Sequence, residues 1–230
     1  MSPRHRTAEE SKTDHIDGMG EELGRLYDAL WQEVAWLHMK WREYVTLFGT
    51  SPARIELLNK AAPSFFRVIQ NSLWEGVLLH IARLTDSPRS MGKHNLSFRQ
   101  FATISLHPDI APQIEKLMAD ALETSAFARD WRNRKLAHRD LHLALGKRAE
   151  PLASVSRAQV KEALAAQSAI LNALAAHYLD STTVFDVETT SDGAEALLYC
   201  IDDGLRFEDE RHQRISRGEY RQDDLQYRSL

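Results

Sequence analysis

Between Phe127 and His142 the chain reads FARDWRNRKLAHRDLH, which gathers residue types able to act on a phosphate. Arg129, Arg132, Arg134, Lys135 and Arg139 stand against Asp130 and Asp140, with His138 and His142 among them. Arginine offers a planar donor fork that matches phosphate oxygens. Histidine takes or gives a proton near neutral pH. Together they suit phosphodiester cleavage by proton transfer and charge stabilisation, with no metal required. The competing reading is a solvated helix face on which this spacing falls by chance, since short motifs recur often.

The charge distribution favours a localised anion site. The 230-residue chain carries a net charge of −4, which argues against a protein that coats nucleic acid indiscriminately. Yet Arg129 to Arg148 holds seven basic residues and two acidic ones, a basic island on an acidic protein. Hydrophobic content of 43% and charged content of 27% are those of a soluble globular domain. No stretch reaches the apolar length of a membrane span, and MSPRHRTAEESKTDH lacks a secretory core. The single cysteine, Cys200, excludes an intrachain disulfide framework and a thiolate metal cluster. These features predict a cytoplasmic protein with no membrane partner.

The elements that must position the island are helical by their periodicity. Leu23, Tyr27, Leu30, Val34, Leu37, Trp41 and Phe48 place a long amphipathic helix between about Glu21 and Phe48. Trp36 falls on its polar face, where it either marks a contact surface or lies under a loop. A short helix is expected over Arg54–Lys60. Pro63 opens a longer one to about Thr85, with His80 on the apolar face as a hydrogen-bonded core residue. It closes with Arg83-Leu84-Thr85-Asp86, where an Arg83–Asp86 pair could cap the end. Further helices are expected over Ser97–Ser105, from Pro108 or Pro112 to Thr124, and from Ser125 to His142 through the basic island. The Ser156–Gln159 capping box starts another, running to Leu179. Residues 181–190 read as an extended linker or short strand, and a last helix starts near Ser191 or Asp192. The prediction is all-α: a bundle of four to six main helices over residues 19–207, a disordered arm at 1–18 and a charged tail at 208–230.

Arg132, Asn133, Ala137, His138 and Asp140 spell R-N-x-x-x-A-H-x-D. That pattern resembles the HEPN superfamily of small helical proteins, and most closely its abortive-infection (AbiU-type) branch. There, an arginine and a polar residue precede a histidine on a helix near the cleft of a dimer. The RLTD segment and Gly92-Lys93-His94-Asn95-Leu96-Ser97 also look like that branch, and the likeness spans roughly Glu21 to Asp203. It implies an HEPN-like bundle and a metal-independent endoribonuclease of a toxin-antitoxin or phage-defence system. Its catalytic residues would be Arg132, Asn133 and His138, and its RNA-binding residues Arg129, Arg134, Lys135, Arg139, Asp140 and His142. It also implies a homodimer and an antitoxin or defence-system partner, with no cofactor. Some relatives carry a modifiable tyrosine two places after the histidine; here that place is Asp140.

Helix geometry leaves the pairing of these residues open. With a step of about 100° per residue, His138 shares a face with Arg134 and His142, while Arg132 lies roughly 120° away. Arg132 and His138 would therefore need a distorted turn or a second copy of the motif. His138 and His142 could form half of a zinc site, but no H-E-x-x-H pattern or nearby cysteine supports it. G-x-S-x-G and phosphate-loop patterns are absent. The alternative function is a non-catalytic module that binds RNA, a nucleotide or a protein through the same island. A structural homodimer held by salt bridges is the third reading.

Overall fold

Apolar residues recurring every three or four positions wind most of the chain into helix. The computed structural model describes residues 7–90, 92–137, 141–146, 151–187 and 192–225. Among them are nine α-helices and one two-residue-per-strand hairpin, so the fold is all-α. The helices are α1 (Ala8–Met19), α2 (Glu21–Phe48), α3 (Pro52–Ala61), α4 (Pro63–Leu84), α5 (Ala111–Thr124), α6 (Ala126–Trp131), α7 (Leu141–Ala144), α8 (Arg157–Leu179) and α9 (Ala194–Ser216). The hairpin pairs β1 (Arg89–Ser90) with β2 (Lys93–His94). Residues 1–41 with 73–187 form one compact unit, and residues 42–72 with 188–230 form another.

In the first unit the predicted stripe of α2 is the core. Leu23, Tyr27, Leu30, Val34, Leu37 and Trp41 are buried, together with Leu78, Ile81 and Leu84 of α4 and Ile114, Leu164, Ile170 and Leu171 of α5 and α8. Ser156 and Gln159 form the expected capping box at the start of α8. Phe98 to Thr103 is a 3-10 turn whose Phe98 and Phe101 are buried, matching the short helix expected there. Residues 181–187 form no strand. Asn172 clamps the backbone of Thr183 on both sides, through its Nδ2 (3.0 Å) and Oδ1 (2.8 Å), and Phe185 packs beside Trp31 and His38. Residues 188–190 lie outside the described residues.

The disordered arm is corrected: residues 8–19 are helical, while residues 1–6 lie outside the described residues. Its polar composition concealed two local determinants. Thr7 and Glu10 form a capping box, and Nδ1 of His15 lies 3.0 Å from Oδ1 of the buried Asp28. The helix approaches α2 over Gly24, where a Cβ would stand 2.5 Å from the His15 carbonyl oxygen and 2.6 Å from Ile16 Cα. Backbone cannot yield as a flexible side chain does. Gly24→Ala is therefore expected to cost at least about 1–3 kcal/mol, the ordinary range of overpacking. A chemical denaturation midpoint equal to that of the wild type would contradict this.

His80 is 2% exposed and hydrogen-bonded, as its place on the apolar face predicted. Its Nδ1 accepts from Lys40 Nζ at 3.0 Å and its Nε2 donates to Glu33 Oε2 at 2.7 Å, so one neutral tautomer serves both contacts. Burial, seconded by the Lys40 charge and opposed by Glu33, pushes its pKa down to about 4 from an ordinary 6.5. The unfolded chain thus binds a proton between those values that the native chain does not. Stability from this group is complete above pH 6.5 and falls as pH drops toward 4. The loss is expected to be about 1–3 kcal/mol. Urea unfolding across that window should show a slope that His80→Gln flattens; an unchanged slope would contradict the assignment.

The second unit contains α3, α9, the end of α2 and the start of α4. Glu43 Oε2 accepts the Ala194 amide at 2.6 Å and so anchors the first turn of α9. Arg54 and Lys60 of α3 reach Glu195 and Asp209 of α9 at 3.5 and 2.8 Å. The expected frayed tail from residue 208 is helical instead as far as Ser216. Arg214 donates from Nε and Nη2 to Asp224 at 3.1 and 2.7 Å, tying the 3-10 turn Gln222–Leu225 back to the helix. Residues 226–230 lie outside the described residues.

Candidate functional site

The basic island is not one continuous helix. It follows α6 with a π-helical turn, Arg132–Leu136, closed by the Ala137 amide donating to the Arg132 carbonyl at 2.8 Å. Such a turn accommodates an extra residue and is frequent at functional sites. The distorted turn that Arg132 and His138 would need is thus present at Arg132. His138, Arg139 and Asp140 lie outside the described residues.

Arg132 turns toward the end of α4. Its Nη2 donates to Asp86 Oδ1 at 2.6 Å, and the two side chains are 29% and 19% exposed. Asp86 therefore pairs with Arg132, and the Arg83–Asp86 cap is corrected: Arg83 Nη2 lies 3.9 Å from Glu33 Oε2. The reason is direction, because the chain leaves helical geometry after Leu84 and aims Asp86 at the incoming π turn.

Beneath this pair lies a buried polar network. Arg129 donates from Nη2 to the Leu122 carbonyl at 2.6 Å and from Nη1 to Thr85 Oγ1 at 3.3 Å. Thr85 Oγ1 in turn donates to the Ala82 carbonyl at 3.1 Å. Gln167 of α8 donates from Nε2 to the Ile81 carbonyl and to Ser125 Oγ, each at 3.3 Å, joining α8 to the end of α4 and the α5–α6 junction. Arg129 is thus a strut of the site floor and not a free phosphate ligand. Burial lowers its pKa; Asp86 opposes this, while Arg99 and Arg132 add to it.

Three guanidinium groups therefore share the neighbourhood of one carboxylate, with Arg99 held by Ser87 Oγ at 3.3 Å. Arg132 Nε is buried with no hydrogen-bond partner among the described residues. An excess of positive charge around a single acid is suited to an oxyanion.

The other described basic residues of the island have partners of their own. Arg134 donates to Asp130 Oδ1 at 3.4 Å and to the Pro151 carbonyl at 3.1 Å, and Asp130 Oδ2 accepts the Ala153 amide. With Trp131 Nε1 bonded to the Ala153 carbonyl, these contacts fasten the segment leading into α8. Lys135 pairs with Glu75 at 3.0 Å and sits 4.6 Å from the Trp131 ring centroid. Asn133 and, on α7, His142 are exposed. Sequence reasoning missed Asp86 and Arg99 as members of the site. The RLTD segment was the available signal for Asp86; Arg99 had none, because only the loop after α4 brings it close.

Asp86→Ala removes the acceptor from a partly buried guanidinium. The expected cost is about 1–3 kcal/mol of stability, typical of charged hydrogen bonds. Denaturation of this variant beside Asp86→Asn checks it; no change in either would contradict the pairing.

The family model described as AbiU2 (HEPN_AbiU2) matches residues 20–197. The chain belongs to the HEPN_AbiU2 family. The match places this HEPN domain among those of abortive infection and includes Asp86, Arg99, Arg129 and Arg132. No curated protein and no solved structure matches the chain. Among the described residues of the HEPN_AbiU2 chain, no helix is long and apolar enough to cross a membrane. None of its described His, Cys, Asp and Glu residues cluster as a metal set. A cleft of about 460 Å³, lined by residues including Phe48, Leu58, Phe66 and Arg67, belongs to the second unit and contains none of the site residues.

Proposed function

We propose that this HEPN domain is a metal-independent endoribonuclease of a phage-defence or toxin-antitoxin system. The observation that carries the reading is the hold of Asp86 on Arg132, with Arg99 bonded to the adjoining Ser87 and Arg129 close enough to feel the charge of Asp86, Arg99 and Arg132. In the proposed reaction the ribose 2′-oxygen attacks the adjacent phosphorus and the bond from phosphorus to the 5′-oxygen breaks. The 2′-hydroxyl gives up a proton, the departing 5′-oxygen gains one, and a 2′,3′-cyclic phosphate remains. His138 takes or gives the proton. Arg132, held by Asp86, stabilises the charge developing on the phosphorane oxygens, and Arg99 adds to the field. The exposed Asn133 orients the strand. A second copy in a homodimer would supply a second histidine, so that one acts as base and the other as acid.

Incubating RNA with the protein in EDTA tests the proposal: strands should be cut, and Arg132→Ala should cut them far more slowly. A second reading has its own support, since Arg132, Arg99 and Arg129 already set positive charge around Asp86 and would attract a phosphate group. A protein that binds RNA through Arg132 but leaves every strand intact would establish that reading instead.

A further inference from the structure

Outside the arginine cluster, the first unit carries an exposed aromatic beside two cations. Trp36 of α2 is 53% exposed although indole is costly to leave in water. Lys40, one turn on, places Nζ 5.9 Å from the Trp36 ring centroid. The same ammonium is fixed from below by Nδ1 of the buried His80, at 3.0 Å. Glu33, which accepts from His80 Nε2, also lies 3.9 Å from Arg83 Nη2, and Arg83 is 61% exposed. Glu33 thus links Arg83 directly and Lys40 through His80, beside the exposed ring of Trp36, and the two cations outnumber the one carboxylate.

This group adjoins the candidate site through the chain itself. The Asp86 amide donates to the Arg83 carbonyl at 3.2 Å, and the carboxylate of Asp86 holds Arg132. Arg83 and Asp86 thus belong to the same end of α4, three residues apart, one facing Glu33 and the other Arg132. We propose that Trp36, Lys40 and Arg83 form a subsite for single-stranded RNA, with Trp36 stacking on a base and the cations meeting the flanking phosphates. Aromatic rings beside cations serve this purpose because every base offers a π-face while the backbone is uniformly anionic. The subsite rests on the ribonuclease reading for the identity of its ligand, and it assigns Trp36 a role in holding the strand and not in the chemistry.

The experiment is fluorescence-anisotropy binding of a short 2′-O-methyl oligoribonucleotide, which cannot be cut by its own 2′-oxygen, and of an abasic strand of equal length. Trp36→Ala should bind the base-bearing strand roughly fivefold to a hundredfold more weakly than the wild type. Trp36→Phe, which keeps a stacking ring, should retain most of the affinity. On the abasic strand Trp36→Ala and wild type should bind alike. Arg83→Gln should lower the slope of log affinity against log salt by about one. Circular dichroism of each variant verifies that the helices are intact. The subsite is overturned if Trp36→Ala binds like wild type, or if its loss is as large on the abasic strand. It is also overturned if the wild type binds neither strand, or if Trp36→Ala changes the sedimentation of the free protein, which would assign Trp36 to an interface between copies. Arg132→Ala separates the two readings. Weaker binding there with normal binding by Trp36→Ala removes the subsite and keeps the Arg132 site; the reverse pattern keeps the subsite and removes Arg132 from RNA contact.

Discussion

Arg132→Ala is expected to lower the rate of RNA cleavage by about 10²–10³-fold, the ordinary cost of losing one group aimed at developing oxyanion charge. The guanidinium is 29% exposed and held at one end by Asp86. Its loss removes positive charge from the phosphate site and leaves Asp86 with less to balance. Arg134→Ala is the informative comparison. Ideal helix geometry would pair Arg134 with His138, but in the folded chain Arg134 reaches Asp130 and the Pro151 carbonyl. Its removal should weaken the anchorage of the segment before α8 and leave the rate within a few-fold of wild type. A large rate loss in Arg134→Ala with none in Arg132→Ala, read by single-turnover cleavage, would reverse the roles.

His138→Ala is expected to cost more, about 10²–10⁴-fold, if the imidazole moves the proton in the rate-limiting step. Binding should survive this change if the arginines, and not the imidazole, hold the phosphate. The two variants therefore separate by their kinetics. Arg132→Ala should impair both affinity and rate, whereas His138→Ala should impair the rate at unchanged affinity. Equal loss of affinity in both would mean that the histidine is a binding group.

The large helices were legible because burial imposes its period on the sequence. The stripe from Leu23 to Trp41 and the box at Ser156 and Gln159 sit where pattern and capping chemistry place them. Helix α1 was hidden since its polar sequence has little apolar stripe and its determinants are a Thr7 cap, a His15–Asp28 contact and a close approach at Gly24. The π turn at Arg132 was foreshadowed by the poor alignment of Arg132 with His138, though nothing local in RNRKL specifies five-residue over four-residue bonding. Asp86 illustrates the limit differently. From sequence spacing it belongs to Arg83, three residues away; in the fold it belongs to Arg132, 46 residues away, because the helix ends between them. Arg99 joins the site only through the tertiary course of the loop after α4, and that course has no sequence period.

The central claim is that this HEPN domain cuts RNA with its own side chains, and the most direct measurement is cleavage in the presence of EDTA with the new ends identified. Wild type should leave 2′,3′-cyclic phosphate and 5′-hydroxyl ends, Arg132→Ala the same ends at a much reduced rate, and His138→Ala almost none. Cleavage that stops on chelation and leaves 5′-phosphate ends, or that proceeds equally in all three proteins, would contradict it.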